Sequence, residues 1–175
     1  MSAKITSNRY LVKKFLDKNV HKLAAKLSDK NIKVLDIGCG RKPYYKYFRH
    51  SFYVGIDKYS EEADIIADAE ALAIRSSSFD IVLCTQVLEH VKNPLDVLKE
   101  INRVLRDKGL LILSTRGFWI EGHEPEDYWR WTIQGLFKIL NESGFKVIGH
   151  VSMAPITTLF QTTLLFVPQR IIFFH

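Results

Sequence analysis

Lys33-Val-Leu-Asp-Ile-Gly-Cys-Gly-Arg-Lys-Pro43 is the stretch around which the other segments fall into place. Val34, Leu35 and Ile37, interrupted by Asp36 and closed by Gly38, read as a buried strand. Gly38 and Gly40, separated by Cys39, let the backbone turn sharply and come close to a ligand with no Cβ in the way. Pro43 suits the first turn of a helix, where a missing N–H costs nothing. Strand, glycine turn and helix start together make a nucleotide cradle.

Upstream, Thr6 to Leu27 has apolar residues at spacings of three and four (Leu11, Val12, Phe15, Leu16, Val20, Leu23, Leu27) and predicts an amphipathic helix capped by Ser7 or Asn8. Lys14, Lys18, Lys22 and Lys26 share its opposite face. Downstream, a short helix at Tyr44–Phe48 leads to a strand at Phe52–Ile56 ended by Asp57. A short strand at Ile65–Ala67 precedes Asp68, and a buried strand at Phe79–Cys84 precedes Gln86. Val87–Val91 reads as a turn, Pro94–Leu105 as a helix, and Asp107–Gly109 as a turn into a strand at Leu110–Ser114. Thr132 caps a helix to about Glu142, Gly144 stops it, and Phe145–Val151 is a further strand.

Alternating strands and helices predict an α/β fold: a Rossmann-like, doubly wound, mostly parallel sheet with helices on both faces. Ligands bind beyond the carboxyl ends of the strands in such sheets. That edge gathers Gly38, Cys39, Gly40, Asp57, Asp68, Gln86 and Thr115 from distant parts of the chain.

The 175 residues, 47% hydrophobic and 25% charged, suit one soluble domain. The expected divisions are an N-terminal helix (1–31), a cofactor-binding core (32–151) containing a substrate loop (116–131), and an apolar tail (152–175). Residues 1–58 carry 14 Lys/Arg against 4 Asp/Glu, leaving the remainder acidic. That basic half is either a solvated face or a surface for an anionic partner. Cys39 and Cys84 sit in apolar strand contexts with no zinc-type spacing, and the N-terminus lacks a signal-peptide core, so a reduced, cytoplasmic protein without a metal is expected.

Residues 116–131 contain all three tryptophans together with His123, Asp127, Tyr128 and Arg130, and read as a lid or binding loop. The tail from Ile156 to Val167 reads as an amphipathic helix between Pro155 and Pro168, too short and polar to span a membrane, and suited to core packing or a homodimer contact, with interfacial membrane attachment as the alternative.

An acid ending the second strand, Asp57, can accept from both hydroxyls of a ribose, and Asp68 can accept from an adenine amino group while Ala69 offers its N–H. Either acid can instead serve its own turn or cap. Pro43 stands where a dinucleotide fingerprint has its third glycine, which argues against NAD.

Val34-Leu-Asp-Ile-Gly-Cys-Gly40, Val54-Gly-Ile-Asp57, Ala67-Asp-Ala-Glu70, Ser78-Phe-Asp-Ile-Val-Leu-Cys84, Val87-Leu-Glu-His-Val91 and Leu105-Arg-Asp-Lys-Gly-Leu110 stand in order and spacing over roughly residues 33–150. In these the chain resembles the class I S-adenosylmethionine-dependent methyltransferases, specifically the type 11 methyltransferase domains. The resemblance implies a seven-stranded sheet, S-adenosyl-L-methionine as cofactor, and methyl transfer. It puts Asp36, Gly38 and Gly40 around the methionine part, Asp57 at the ribose, Asp68 and Ala69 at the adenine, and Gln86 near the sulfonium, with Glu89 and His90 following in that wall; Cys39 and Lys58 complete the expected cofactor-binding set. Lys42 stands where the family often has a third glycine; it or Arg41 either reaches an anionic group or faces solvent. The loop resembles a subset with a His…Asp-Tyr-Trp-Arg-Phe/Trp-Thr pattern, here His123 and Asp127–Thr132, whose genes are frequent in cell-surface polysaccharide pathways.

A general base is needed only where the acceptor carries a proton of high pKa. The base candidates are His123, Asp127 and then His90. Trp119, Tyr128, Arg130 and Trp131 are the candidates for holding the acceptor. The expected function is methyl transfer to O or N of a small molecule, a sugar or other metabolite. Alternatives are tRNA modification and a non-catalytic cofactor-binding assembly module.

Overall fold

Lys33–Ile37 is the strand β1 in the interior of the sheet, and its alternation sorts the core into two layers. The computed structural model describes residues 8–27, 31–117, 126–153 and 162–168. In chain order it contains α1 (Asn8–Lys26), β1, a 3-10 turn (Tyr45–Tyr47), β2 (Phe52–Asp57), β3 (Ile65–Ile66) and β4 (Phe79–Thr85). A second 3-10 turn (Leu88–His90) follows, then α2 (Pro94–Val104), β5 (Leu105–Arg116), α3 (Ile133–Glu142), β6 (Gly149–Met153) and β7 (Thr162–Pro168). The strands form one seven-stranded sheet in the order β3-β2-β1-β4-β5-β7-β6. β7 runs antiparallel to both its neighbours; the remaining ladders are parallel.

Side chains alternate across a strand, so Leu35 and Ile37 point to one face and Val34 and Asp36 to the other. The first face packs on Val97, Leu98 and Ile101 of α2 and on Leu136 and Leu140 of α3. The second packs on Val12, Leu16, Val20 and Ala24 of α1, with Tyr44 and Phe48. α1 therefore turns its i, i+4 apolar row inward and leaves Lys14, Lys18, Lys22 and Lys26 exposed. In α3 the predicted cap is present: Thr132 Oγ1 accepts from the Gly135 N–H at 3.0 Å.

Three expectations need correction. The helix predicted over Ile156–Val167 is a strand from Thr162 onward, paired with β5 on one side and β6 on the other. A short apolar run cannot be told from a helix by periodicity alone, and threonine, phenylalanine and valine favour the strand that the free side of β5 requires. Residues 156–161 and 169–175 lie outside the described residues. The strand predicted at Phe145 begins at Gly149 instead, Phe145 being a buried core residue. The turn predicted at Asp107–Gly109 survives as an irregularity inside β5: Lys108 has φ +67°, and the pairing jumps from Phe79–Leu105 to Ile81–Leu110. Among the described residues no helix is long and apolar enough to cross a membrane.

Asp36 is the unusual member of the core. It is buried under the glycine turn on the α1 face, the Tyr53 hydroxyl donates to its Oδ2, and its Oδ1 has no hydrogen-bond partner among the described residues. Burial pushes its carboxyl up to about 7, and Tyr53 opposes the shift. Its folded pKa is thus raised above the unfolded value, so its contribution to stability is present at low pH and is lost as pH rises through 7. Asp36→Asn cannot titrate. In urea titrations between pH 4 and 8, stability should shift in the variant's favour as pH rises, by up to about 4 kcal/mol. A pH-independent difference would show that Asp36 is already ionised.

Candidate functional site

The carboxyl ends of β1, β2 and β4 surround a cavity of about 550 Å³, a size that suits a nucleoside-sized ligand. Its walls include Gly38, Asp57, Lys58, Asp68, Ala69, Gln86, His90 and Tyr128. These come from five separate segments of the chain, brought together by the topology.

The glycine turn forms the floor. Gly38 has φ +66°, and a Cβ there would lie 2.3 Å from Val87 Cγ2. Gly40 has φ +51°, and its N–H donates to Asp57 Oδ2 at 2.9 Å. Lys42, at the position of the family's frequent third glycine, also has φ +49°. The backbone keeps the glycine conformation there and bears about 1 kcal/mol of strain. An ion pair from Lys42 Nζ to Asp64 Oδ1 accompanies it, and Asp64 also accepts from the Gly55 N–H at 2.7 Å. Arg41 pairs with Glu62 at 3.5 Å. Both cations thus strap the turn to the β2–β3 connection, away from the cavity wall.

Asp57 organises the next wall. Its Oδ1 accepts from the N–H groups of Tyr59 and Ser60 at 2.8 and 3.0 Å, and the Ser60 hydroxyl donates to the Gly40 carbonyl at 2.7 Å. Each carboxylate oxygen has two lone pairs, so Asp57 retains acceptor capacity toward the cavity. Asp68 Oδ1 accepts from the Glu70 N–H at 3.0 Å, and its Oδ2 lies 2.9 Å from Lys58 Nζ. The Glu70 bond and then Lys58 hold its carboxyl below the usual range. Glu70 Oε1 in turn accepts from the N–H groups of Lys92 and Asn93, tying this wall to the start of α2.

The opposite wall is held by a buried charge cluster. Glu89 is fully buried; its Oε2 accepts from Thr115 Oγ1 at 2.9 Å and its Oε1 lies 3.2 Å from Arg116 Nε. Burial pushes its carboxyl up, against the pull of Arg116. Arg130 grips Asp127 with two bonds of 2.6 Å, and Arg116 Nη1 stands 4.0 Å from the same carboxylate. The backbone completes the anchoring. The Tyr128 N–H donates to the Glu89 carbonyl at 2.8 Å, the Trp131 N–H to Arg116 at 3.1 Å, and Trp129 Nε1 to Val91 at 2.8 Å.

The sequence-derived candidates therefore separate. Gly38, Asp57, Lys58, Asp68, Ala69, Gln86, His90 and Tyr128 line the cavity. Asp36, Cys39 and Gly40 lie behind it, and burial pushes the Cys39 thiol up to about 12, so it stays protonated. Asp127, Arg130 and Trp131 anchor the 126–131 segment instead of facing the cavity. His123 and Trp119 lie outside the described residues. Sequence reasoning missed Tyr59 and Glu126, which meet across the mouth at 3.2 Å, Tyr59 Oη donating to Glu126 Oε2. Tyr59 follows Asp57 so closely that proximity to the strand end was its available signal; Glu126 had none.

Residues 8–159 match the family described as a methyltransferase domain. The chain is 32% identical over 105 residues to a ubiquinone biosynthesis O-methyltransferase of Roseobacter denitrificans, covering 49% of this chain and 42% of that protein. It is 30% identical over 115 residues to the mouse thiol S-methyltransferase TMT1B, covering 55% and 45%. The chain thus spans under half the length of these curated relatives. The crystal structure of an S-adenosylmethionine-dependent methyltransferase from Mesorhizobium loti superposes with a TM-score of 0.66 at 15% identity, over 84% of this chain and 96% of that one. With strand order, cavity position and family match in agreement, the chain belongs to the class I S-adenosylmethionine-dependent methyltransferase family.

Proposed function

We propose that this chain binds S-adenosylmethionine in the 550 Å³ cavity and transfers its methyl group to an O or N of a small-molecule acceptor, a sugar or other metabolite. The observation that carries the reading is the convergence of Gly38, Asp57, Asp68 with Ala69, and Gln86 on that one cavity. The residues fit the cofactor. A Cβ at Gly38 would strike Val87 in the floor, so the floor is built for close backbone approach. Asp57 already accepts from the N–H groups of Gly40, Tyr59 and Ser60 and keeps a lone pair on Oδ2 for a ribose hydroxyl, and Asp68 with the Ala69 N–H offers an acceptor and a donor to an adenine edge.

When bound, the cofactor supplies a methyl group already activated by its sulfonium. The protein then has to bind, align and exclude water. On the acceptor side Tyr128 contributes an aromatic wall. His90 Nδ1–H donates to the Glu126 carbonyl at 2.6 Å, which leaves Nε2 as the ring's acceptor. His90 is therefore the base candidate that the cavity geometry favours, ahead of Asp127, whose carboxylate is engaged by Arg130.

Isothermal titration with S-adenosylhomocysteine tests the reading. Wild type should bind, and Asp57→Ala should bind at least about tenfold more weakly, given 1.5–3 kcal/mol for hydrogen bonds to a charged group. No binding by wild type at millimolar ligand would overturn it. A second reading, modification of tRNA, draws on the exposed lysine row of α1. Its test is a gel shift with tRNA at low salt, where a complex should form and weaken steeply with added salt.

A further inference from the structure

Gln86 occupies a strained position for a reason that the cofactor cradle alone does not explain. It follows β4 directly, lines the cavity, and has φ +57°, a conformation that costs a residue with a Cβ about 1–2 kcal/mol. Such strain persists where neighbours over-determine it, and here one neighbour does so twice. The Gln86 N–H donates to the Ser114 carbonyl at 2.8 Å, and Gln86 Nε2 donates to Ser114 Oγ at 3.3 Å. Ser114 is fully buried in β5, opposite Thr85 of β4 and Leu164 of β7. With its NH2 on the serine hydroxyl, the carboxamide has its oxygen as the other end, and that oxygen accepts no hydrogen bond from the described residues.

We propose that Ser114 is a positioning residue that turns the Gln86 carboxamide oxygen toward the cavity, making the site discriminate a cationic sulfonium from a neutral thioether. The inference rests on the methyltransferase reading. A carbonyl dipole fixed in a partly water-excluded site attracts a positive sulfur and is nearly indifferent to a neutral one. Methyl donation removes the positive charge from sulfur, so this contact favours the substrate form of the cofactor and weakens on the product form.

The test is calorimetric titration of S-adenosylmethionine and S-adenosylhomocysteine into wild type, Ser114→Ala, Gln86→Leu, Gln86→Glu and the Ser114→Ala/Gln86→Leu double variant. Ser114→Ala should lower the ratio of S-adenosylmethionine to S-adenosylhomocysteine affinity three- to tenfold, with little change for the thioether. Gln86→Leu should do the same, and Ser114→Ala should add nothing in that background, because it acts through Gln86. Gln86→Glu should raise the ratio, an arm that stands even if Ser114→Ala does not fold. Equal weakening of both ligands, or a serine effect that persists in the leucine background, would make Ser114 a structural residue and overturn the proposal. Failure of wild type to bind either ligand would instead overturn the reading beneath it.

Discussion

Asp127→Ala should lower stability by about 2–4 kcal/mol, seen as a drop of roughly 5–15 °C in melting temperature, and should leave S-adenosylhomocysteine affinity within a few-fold of wild type. The Asp127 side chain is 1% exposed and takes both guanidinium bonds of Arg130 at 2.6 Å. Removing one partner of a buried ion pair costs more than the pair contributes, because the other charge keeps its desolvation penalty. Arg130 is 29% exposed and regains some hydration, which places the loss below the 3–5 kcal/mol typical of fully buried pairs. The cavity walls at Gly38, Asp57 and Asp68 come from other segments, so ligand affinity should change little. A double-mutant cycle with Arg130→Ala should return a coupling above about 1 kcal/mol. An unchanged melting temperature would sink the anchoring role and return Asp127 to the list of catalytic bases.

The same pair shows where sequence reasoning ends. The parallel part of the sheet was legible because its strands carry their own local signal: an apolar run bounded by a glycine, an acid or a turn. The residues lining the cavity were legible because they sit within one or two positions of strand ends, and parallel topology brings strand ends together. Asp127 and Arg130 looked like site residues because polar groups in an aromatic loop usually face something functional. What they face is Arg116, which is 11 residues before Asp127, and the wall carrying Glu89, which is 38 residues before it. Charge complementarity across that distance is a tertiary fact with no periodicity to announce it.

Asp36 is a different case, since the alternation of β1 already set it on the side of Val34, facing α1. Its burial behind the turn was readable, but proximity to Gly38 outweighed it. The last strand was hidden for a third reason. Residues 162–167 have an apolar run too short to distinguish the two periods, and the unpaired side of β5 that demands a strand appears only once the sheet is assembled.

The largest combined effect on fold and site is expected from Gly38→Ala, which adds one methyl group to the floor. Two costs act together. The residue's φ of +66° penalises any Cβ by about 1–2 kcal/mol. The added atom would also lie 2.3 Å from Val87 Cγ2, far inside contact distance, and valine has a single stiff χ1 with which to yield. Val87 itself lines the cavity, so whichever side gives way, the floor changes shape. Gly38→Ala should therefore lose about 2–4 kcal/mol of stability and bind S-adenosylhomocysteine at least tenfold more weakly. The two costs separate in a cycle with Val87→Ala. Shortening Val87 relieves the steric contact and leaves the backbone penalty, so the double variant should recover affinity more than stability. Gly40→Ala supplies the comparison: its φ is +51°, but a Cβ there meets nothing within 4 Å. It should cost about 1 kcal/mol and largely preserve binding. Equal losses at the two glycines would mean that backbone conformation alone sets the requirement. A greater loss at Gly38, rescued in part by Val87→Ala, would mean that the floor is shaped by close packing of the turn against the segment after β4.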